Sequence, residues 1–179
     1  MASSAQIAIR LEGPGLDAAN LASRYADWLT RIATMHQDAR ALTNPEPAFH
    51  LSSRPLSAAR VALVTTAGAY LEGDPPFDVV DPHGDSSFRL IPDASAPGQL
   101  RFSHSHYDTS RAAEDPNVVL PLEPLHALVA RGVVGAAAPR HIGMMGFNPD
   151  PRRLVAESVP AVVDALQQDD VDIVVLSPG

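Results

Sequence analysis

Two short apolar runs do most to limit how this chain can fold. One is RVALVTTAG, residues 60–68, and the other is DIVVLSPG, residues 172–179. Each is rich in β-branched residues, too short for a core helix, and followed at once by small or turn-forming residues. Apolar side chains run on without alternating, so neither strand has a solvent face. Strands covered on both faces belong to parallel sheets with helices packed above and below.

The segments between them supply those helices. Residues 123–131 read as a helix with Leu125, Leu128 and Val129 turned inward and Gly132 as the stop. DPRRLVAESVPAVVDALQQ, residues 150–168, is an amphipathic helix. Asp150 caps it and Pro151 takes the first position. Leu154, Val155, Val159, Val162, Val163 and Leu166 form its stripe. Pro160 inside that stripe is expected to kink it. SFRLIP and QLRFSH read as two short strands around a turn, NVVLPL as a short strand or loop, and VVGAAAP, residues 133–139, as a weak strand. Residues 16–42 carry apolar residues at threes and fours and read as a long helix, with Asp17 as N-cap and Asn44-Pro45 as the stop. The Pro/Ser-rich stretch NPEPAFHLSSRPL then marks a boundary. The expected fold class is α/β: a Rossmann-like, mostly parallel sheet flanked by helices over residues 57–179, with an N-terminal helical arm over residues 1–56.

Ligands of such sheets lie beyond the carboxyl ends of the strands. The loops expected there are residues 65–76, residues 139–150 and whatever follows Gly179. Composition narrows the chemistry. All 13 basic residues are arginine, so no lysine Schiff base forms, and without cysteine the chain has no thiolate nucleophile, disulfide or cysteine metal site. A net charge of −8 argues against a nucleic-acid surface. With no signal-peptide pattern and no apolar stretch of about 20 residues, the expectation is a cytoplasmic protein without membrane or nucleic-acid partners.

The densest polar cluster is FSHSHYDTS. In an extended chain His104, His106 and Asp108 fall on one face. Two imidazoles and a carboxylate there suit a divalent metal, or acid–base work, or simply a solvated loop. In DPHGDSSFR, Asp81 and His83 suit turn chemistry, while Asp85 and Arg89 suit a charged pair at a site rim. In APRHIGMMGF, Arg140 beside His141 suits a carboxylate-bearing substrate, or the glycines simply permit a turn. His36, His50 and His126 read as structural. TTAGAYLEGDPP lacks a dinucleotide-binding spacing.

RVALVTTAGAYLEGDPPFD, GDSSFRLIP, SHSHYD, LPLEPLHALVARGVVGAAAPRHIGMMGF and DDVDIVVLSPG, in this order, resemble the selenoprotein B subunits of glycine, sarcosine, betaine and D-proline reductases. The resemblance is strongest to the shorter, D-proline type and covers residues 60–179. In that family the last strand is followed by selenocysteine or cysteine, two residues and a cysteine, and selenocysteine is encoded by UGA. The resemblance therefore implies a selenocysteine position directly after Gly179, with the end of the chain a UGA codon taken for termination, and no cofactor within the chain as it stands. It implies reductive cleavage of a carbon–heteroatom bond, most often C–N, by a selenol or thiol. A pyruvoyl group on a second reductase subunit and a thioredoxin-like electron donor are the implied partners, in a homo- or hetero-oligomer. Of the motif residues, His104, Tyr107 and Asp108 match best. His104 or His106 is implied as proton donor and Asp108 as its orienter. Asp85, Arg89, Tyr107, Arg140 and His141 are implied as the substrate-binding set. Two other readings stay open: a non-catalytic assembly subunit, and a metal-dependent enzyme built on His104, His106 and Asp108.

Overall fold

The structure, a computed structural model, describes residues 52–178 and six positions of the N-terminal arm. Two compact units divide the chain, Met1–Ala39 and Arg40–Gly179. In the first, Ser23, Ala26, Asp27, Thr30, Arg31 and Thr34 are helical and exposed, and the Thr30 and Thr34 hydroxyls donate to carbonyls one turn back. The apolar stripe expected for residues 16–42 lies outside the described residues.

The second unit is a mixed α/β fold. Its strands are β1 (Arg60–Thr65), β2 (Ala69–Leu71), β3 (Phe88–Pro92), β4 (Leu100–Phe102), β5 (Ala136–Ala137), β6 (Arg140–Met144) and β7 (Ile173–Ser177). Its helices are α1 (Ser110–Glu114), α2 (Leu122–Ala130) and α3 (Val159–Gln168). The main sheet has five strands. β1 lies at its centre, parallel to β7 on one side and to β5 and β6 on the other, and β3 runs antiparallel along the far edge of β6. β2 and β4 form a separate antiparallel pair.

The apolar run that suggested a doubly covered strand is one. Val61 and Leu63 of β1 pack in a core with Leu122 and Leu125 of α2, whereas Val64 packs with Val162 of α3. Side chains alternate across a strand, so α2 and α3 cover opposite faces. Burying each such aliphatic side chain contributes about 1.5–3 kcal/mol before entropy is counted. β7 is covered less well: Val174, Val175 and Leu176 are exposed.

Several elements differ from the sequence reading. SFRLIP and QLRFSH are both strands, yet they do not pair with each other: β3 joins β6 and β4 joins β2. NVVLPL holds a 3₁₀ turn, Pro116–Val118. The strand expected over residues 133–139 shrinks to the two residues of β5, and the principal strand starts later, at Arg140. Pro160 produces no simple kink. A π turn, Leu154–Ser158, precedes α3 and widens the helix where the proline ring would otherwise meet the carbonyl four residues back. Val155, Val159 and Val163, assigned to the buried stripe, are exposed, while Val162 and Ala165 take the core.

Between β5 and β6 the pairing with β1 slips by two residues: Val61 sits opposite Ala137 but Val64 opposite Ile142. The slack is filled by a side chain. His141 is fully buried, and its Nδ1 accepts from the Leu63 N–H at 3.0 Å. An imidazole thus replaces a peptide carbonyl in the ladder.

Candidate functional site

The carboxyl edge of the parallel strands is defined by Thr65 of β1, Met144 of β6 and Ser177 of β7. The Thr66 N–H donates to the Ser177 carbonyl at 3.0 Å, so the ends of β1 and β7 are tied together. Onto this edge folds the loop after β4. Gly68 and Ser103 meet backbone to backbone, with the Ser103 N–H donating to the Gly68 carbonyl at 2.9 Å. Only glycine fits there: φ is +72°, and a Cβ would lie 1.9 Å from the Ser103 carbonyl oxygen.

His104 follows directly. Its Nδ1 accepts from the His106 N–H at 3.0 Å, which leaves the proton of the neutral ring on Nε2. That Nε2 faces the Gly146 backbone, where a Cβ would come within 3.4 Å of it. Burial, and then the charge of His106, hold the His104 pKa below the usual imidazole value. His106 stacks on Phe147, ring centroids 3.8 Å apart, and Ser105 Oγ lies 2.6 Å from its Nδ1. The Tyr107 ring lies 4.6 Å from His104, and its hydroxyl donates to the Ala67 carbonyl at 2.8 Å. Burial raises the phenol pKa.

Three of the candidate residues therefore gather here: His104, His106 and Tyr107. Asp108 turns away, accepting from the Ser110 N–H and hydroxyl at the start of α1. Those two bonds hold its carboxyl below its ordinary pKa. It does not orient His104, and the His–His–Asp set of the metal reading is not assembled; among the described residues no group of three or more such side chains is arranged to hold a metal.

Asp85 lines a neighbouring cleft of about 420 Å³ at the start of β3, with Asp78, Arg153 and Glu157, whereas Arg89 is not part of that lining. Asp85 and Arg89 are joined through Ser87, whose hydroxyl donates to Asp85 and accepts from Arg89. Arg89 also donates to the Pro75 and Pro76 carbonyls and lies 4.4 Å over the Phe77 ring. Asp85 is desolvated, but its bonds from Ser87 and Asp78 outweigh that and lower its pKa. Both side chains brace the loop of residues 75–87.

Arg140 and His141 sit at the opposite, amino edge. The sequence reading placed them in a loop after a strand, whereas they open β6. Arg140 makes a two-pronged ion pair with Asp169. His141 Nε2 lies 2.9 Å from Asp93 Oδ1, which also meets His126 Nε2 at 2.7 Å. Burial lowers the His141 pKa despite the carboxylate. Neither residue reaches the His104 loop.

Phe147, Thr66 and Gly68 were missed as site residues. Gly146, read as permitting either close approach to a ligand or a sharp turn, was the one available signal for Phe147.

The order and spacing of these parts can be set against known proteins. Residues 43–178 match the family described as glycine/sarcosine/betaine reductase selenoprotein B. The chain belongs to that family. This selenoprotein B relative is also 31% identical over 151 residues to the D-proline reductase subunit gamma of Acetoanaerobium sticklandii. That alignment covers 84% of the chain and 61% of the relative, so the chain spans under two thirds of the curated relative's length. No solved structure matches it. No described helix is long and apolar enough to cross a membrane.

Proposed function

We propose that this chain is the selenol- or thiol-dependent subunit of a reductase that cleaves a carbon–nitrogen bond in a small amino-acid-like substrate. Family membership supports the reaction class. The observation that carries the site is the tie between Thr66 and Ser177, which brings the end of β7 to the edge where His104 waits. A selenol or thiol placed just after Gly179 would supply the nucleophile at that edge, and the residues gathered there suit such a neighbour: imidazoles, an aromatic shelf and backbone.

In this reading His104 moves the proton. Its lowered pKa keeps the ring mostly neutral at pH 7, and once protonated it is a better acid than an ordinary imidazolium. The neutral ring takes up its second proton at Nδ1, displacing the His106 N–H, and the imidazolium then hands its Nε2 proton to the departing nitrogen. His106 and Phe147 wall the site and limit water. A thioredoxin-like protein supplies the two electrons, and a second subunit, with a pyruvoyl group of its own, activates the amine. The exposed Val174, Val175 and Leu176 of β7 favour a partner chain, which is also what an assembly subunit would need.

Two measurements test the reading. The gene is sequenced beyond codon 179; an in-frame continuation with a cysteine three positions past the UGA is expected. The full-length product, with selenocysteine or cysteine at that position, is then assayed for dithiol-dependent turnover of D-proline, glycine, sarcosine and betaine. An ordinary stop followed by unrelated DNA, together with no turnover, replaces the reductase reading with the assembly one.

A further inference from the structure

The His104 loop is held at two points, and both anchors lie on consecutive residues of the β1 exit. Gly68 grips its start through Ser103. Ala67 grips its far end, because its carbonyl accepts the Tyr107 hydroxyl. Ala67 itself is fully buried, packed with Ala112 and Val119, and Phe102 and Tyr107 lie against that cluster. The acceptor carbonyl therefore belongs to a packed stretch just beyond β1 that is bridged to Met145. Between the anchors lie only His104, Ser105 and His106. A span that short has little freedom once both ends are fixed, and its internal bond from the His106 N–H to His104 Nδ1 depends on that geometry.

We propose that Tyr107 is a positioning residue: its hydroxyl, by tethering the loop to the Ala67 carbonyl, fixes the tautomer and the degree of burial of His104. This rests on His104 being the proton donor of the proposed reaction, but Tyr107 itself touches no substrate in this scheme. The Tyr107 ring supplies cover on one side of His104, and the hydroxyl holds that cover in place. Loss of the hydroxyl alone should leave the core cluster filled while the loop loosens, water reaches His104 and the His106 N–H bond frays. Desolvation is the first cause of the low His104 pKa, so hydration must raise it.

The experiment follows the His104 ring signals through a pH titration by NMR, in the full chain without substrate. Tyr107→Phe is expected to raise the His104 midpoint by about half a unit or more, with an unchanged circular dichroism spectrum. Tyr70→Phe, which alters a tyrosine on β2 outside the site, is the control and should not move it. If Tyr107→Phe shifts His104 no further than Tyr70→Phe does, the inference is overturned. Should the Tyr107→Phe protein not fold, the wild type answers instead. Ionisation of Tyr107 at high pH removes the donor, and the Ala67 carbonyl carbon must then shift; an unshifted carbonyl overturns the tether. No step needs turnover. A shifted His104 in a protein without reductase activity keeps this inference and discards the functional reading, and an active reductase with an unshifted His104 does the reverse.

Discussion

The sheet carries a pair of histidines at each end, and the two pairs are held in opposite ways. At the carboxyl edge His104 and His106 ride on a loop, bonded to each other, with His106 stacked on Phe147 and His104 tilted against Tyr107. At the amino edge His141 and His126 meet on one carboxylate oxygen of Asp93, and His141 also completes the β1–β6 ladder. Both His104 and His141 have lowered pKa values, and burial is the leading cause in each. A perturbed histidine is thus not in itself a sign of catalysis. What separates the two is whether the second ring nitrogen is already spoken for by the fold. Both nitrogens of His141 are; Nε2 of His104 faces the site.

The sharpest way to break this contrast is to remove each ring. His104→Ala should lower turnover of the full-length reductase by about 10²–10⁴-fold, the usual worth of a proton-transfer group, while thermal unfolding hardly changes. His141→Leu should do the converse. It strands the buried Leu63 N–H and removes a donor from Asp93, so denaturant unfolding should show a loss of about 2–3 kcal/mol with the remaining activity little altered. Equal effects of both substitutions on activity would erase the distinction.

Gly68→Ala comes next. It forces a side chain into a +72° backbone and against the Ser103 carbonyl, so a loss of about 1–3 kcal/mol is expected, with increased mobility of the His104 loop by NMR relaxation.

Acid sharpens the comparison further. The folded pKa of His141 lies below its unfolded value of about 6.5, so the unfolded chain binds the extra proton first. Its contribution to stability is present above about pH 6.5, falls as pH drops, and is exhausted once pH has passed below the folded pKa. The slope from this one group is at most about 1.4 kcal/mol per pH unit. His141→Leu should flatten that limb of a stability–pH curve; an unchanged limb assigns the acid sensitivity elsewhere. Asp93 acts lower down. Burial raises its pKa, but the bonds from His141 and His126 together outweigh that, so its share is lost only as pH falls below the ordinary carboxylate range.

The smallest effect belongs to Asp108→Asn. The carboxylate is exposed and occupied with Ser110, so turnover should stay within about threefold of wild type, as the charge is screened by solvent. A larger loss would restore it as the orienter of His104.

Sequence periodicity revealed what depends on periodicity. β1 and α2 could be read because their apolar pattern reports burial directly; β7 and the α3 region could be read as elements, but several of their apolar residues are exposed. The site loop could be read because two histidines and a tyrosine stood close together. Strand β6 could not. Arg140 and His141 look like loop residues, and nothing local says that Asp169 and Asp93 wait to pair with them, or that an imidazole can stand in for a carbonyl. The antiparallel direction of β3 was hidden for a similar reason: short strands carry no mark of their partner. The fate of Asp108 turned on Ser110, two residues on, a local bond that competes with any role toward His104.

The edge strand β7 has a consequence for handling the protein. Among the described residues nothing pairs with its outer side, and Leu176 is 75% exposed. An extended apolar border of this sort invites any passing β-strand, another copy's included. Isolated at high concentration, this chain should clump through residues 174–176 unless a natural companion has arrived first, and a charged residue at Leu176 would be the simplest means to keep it in solution.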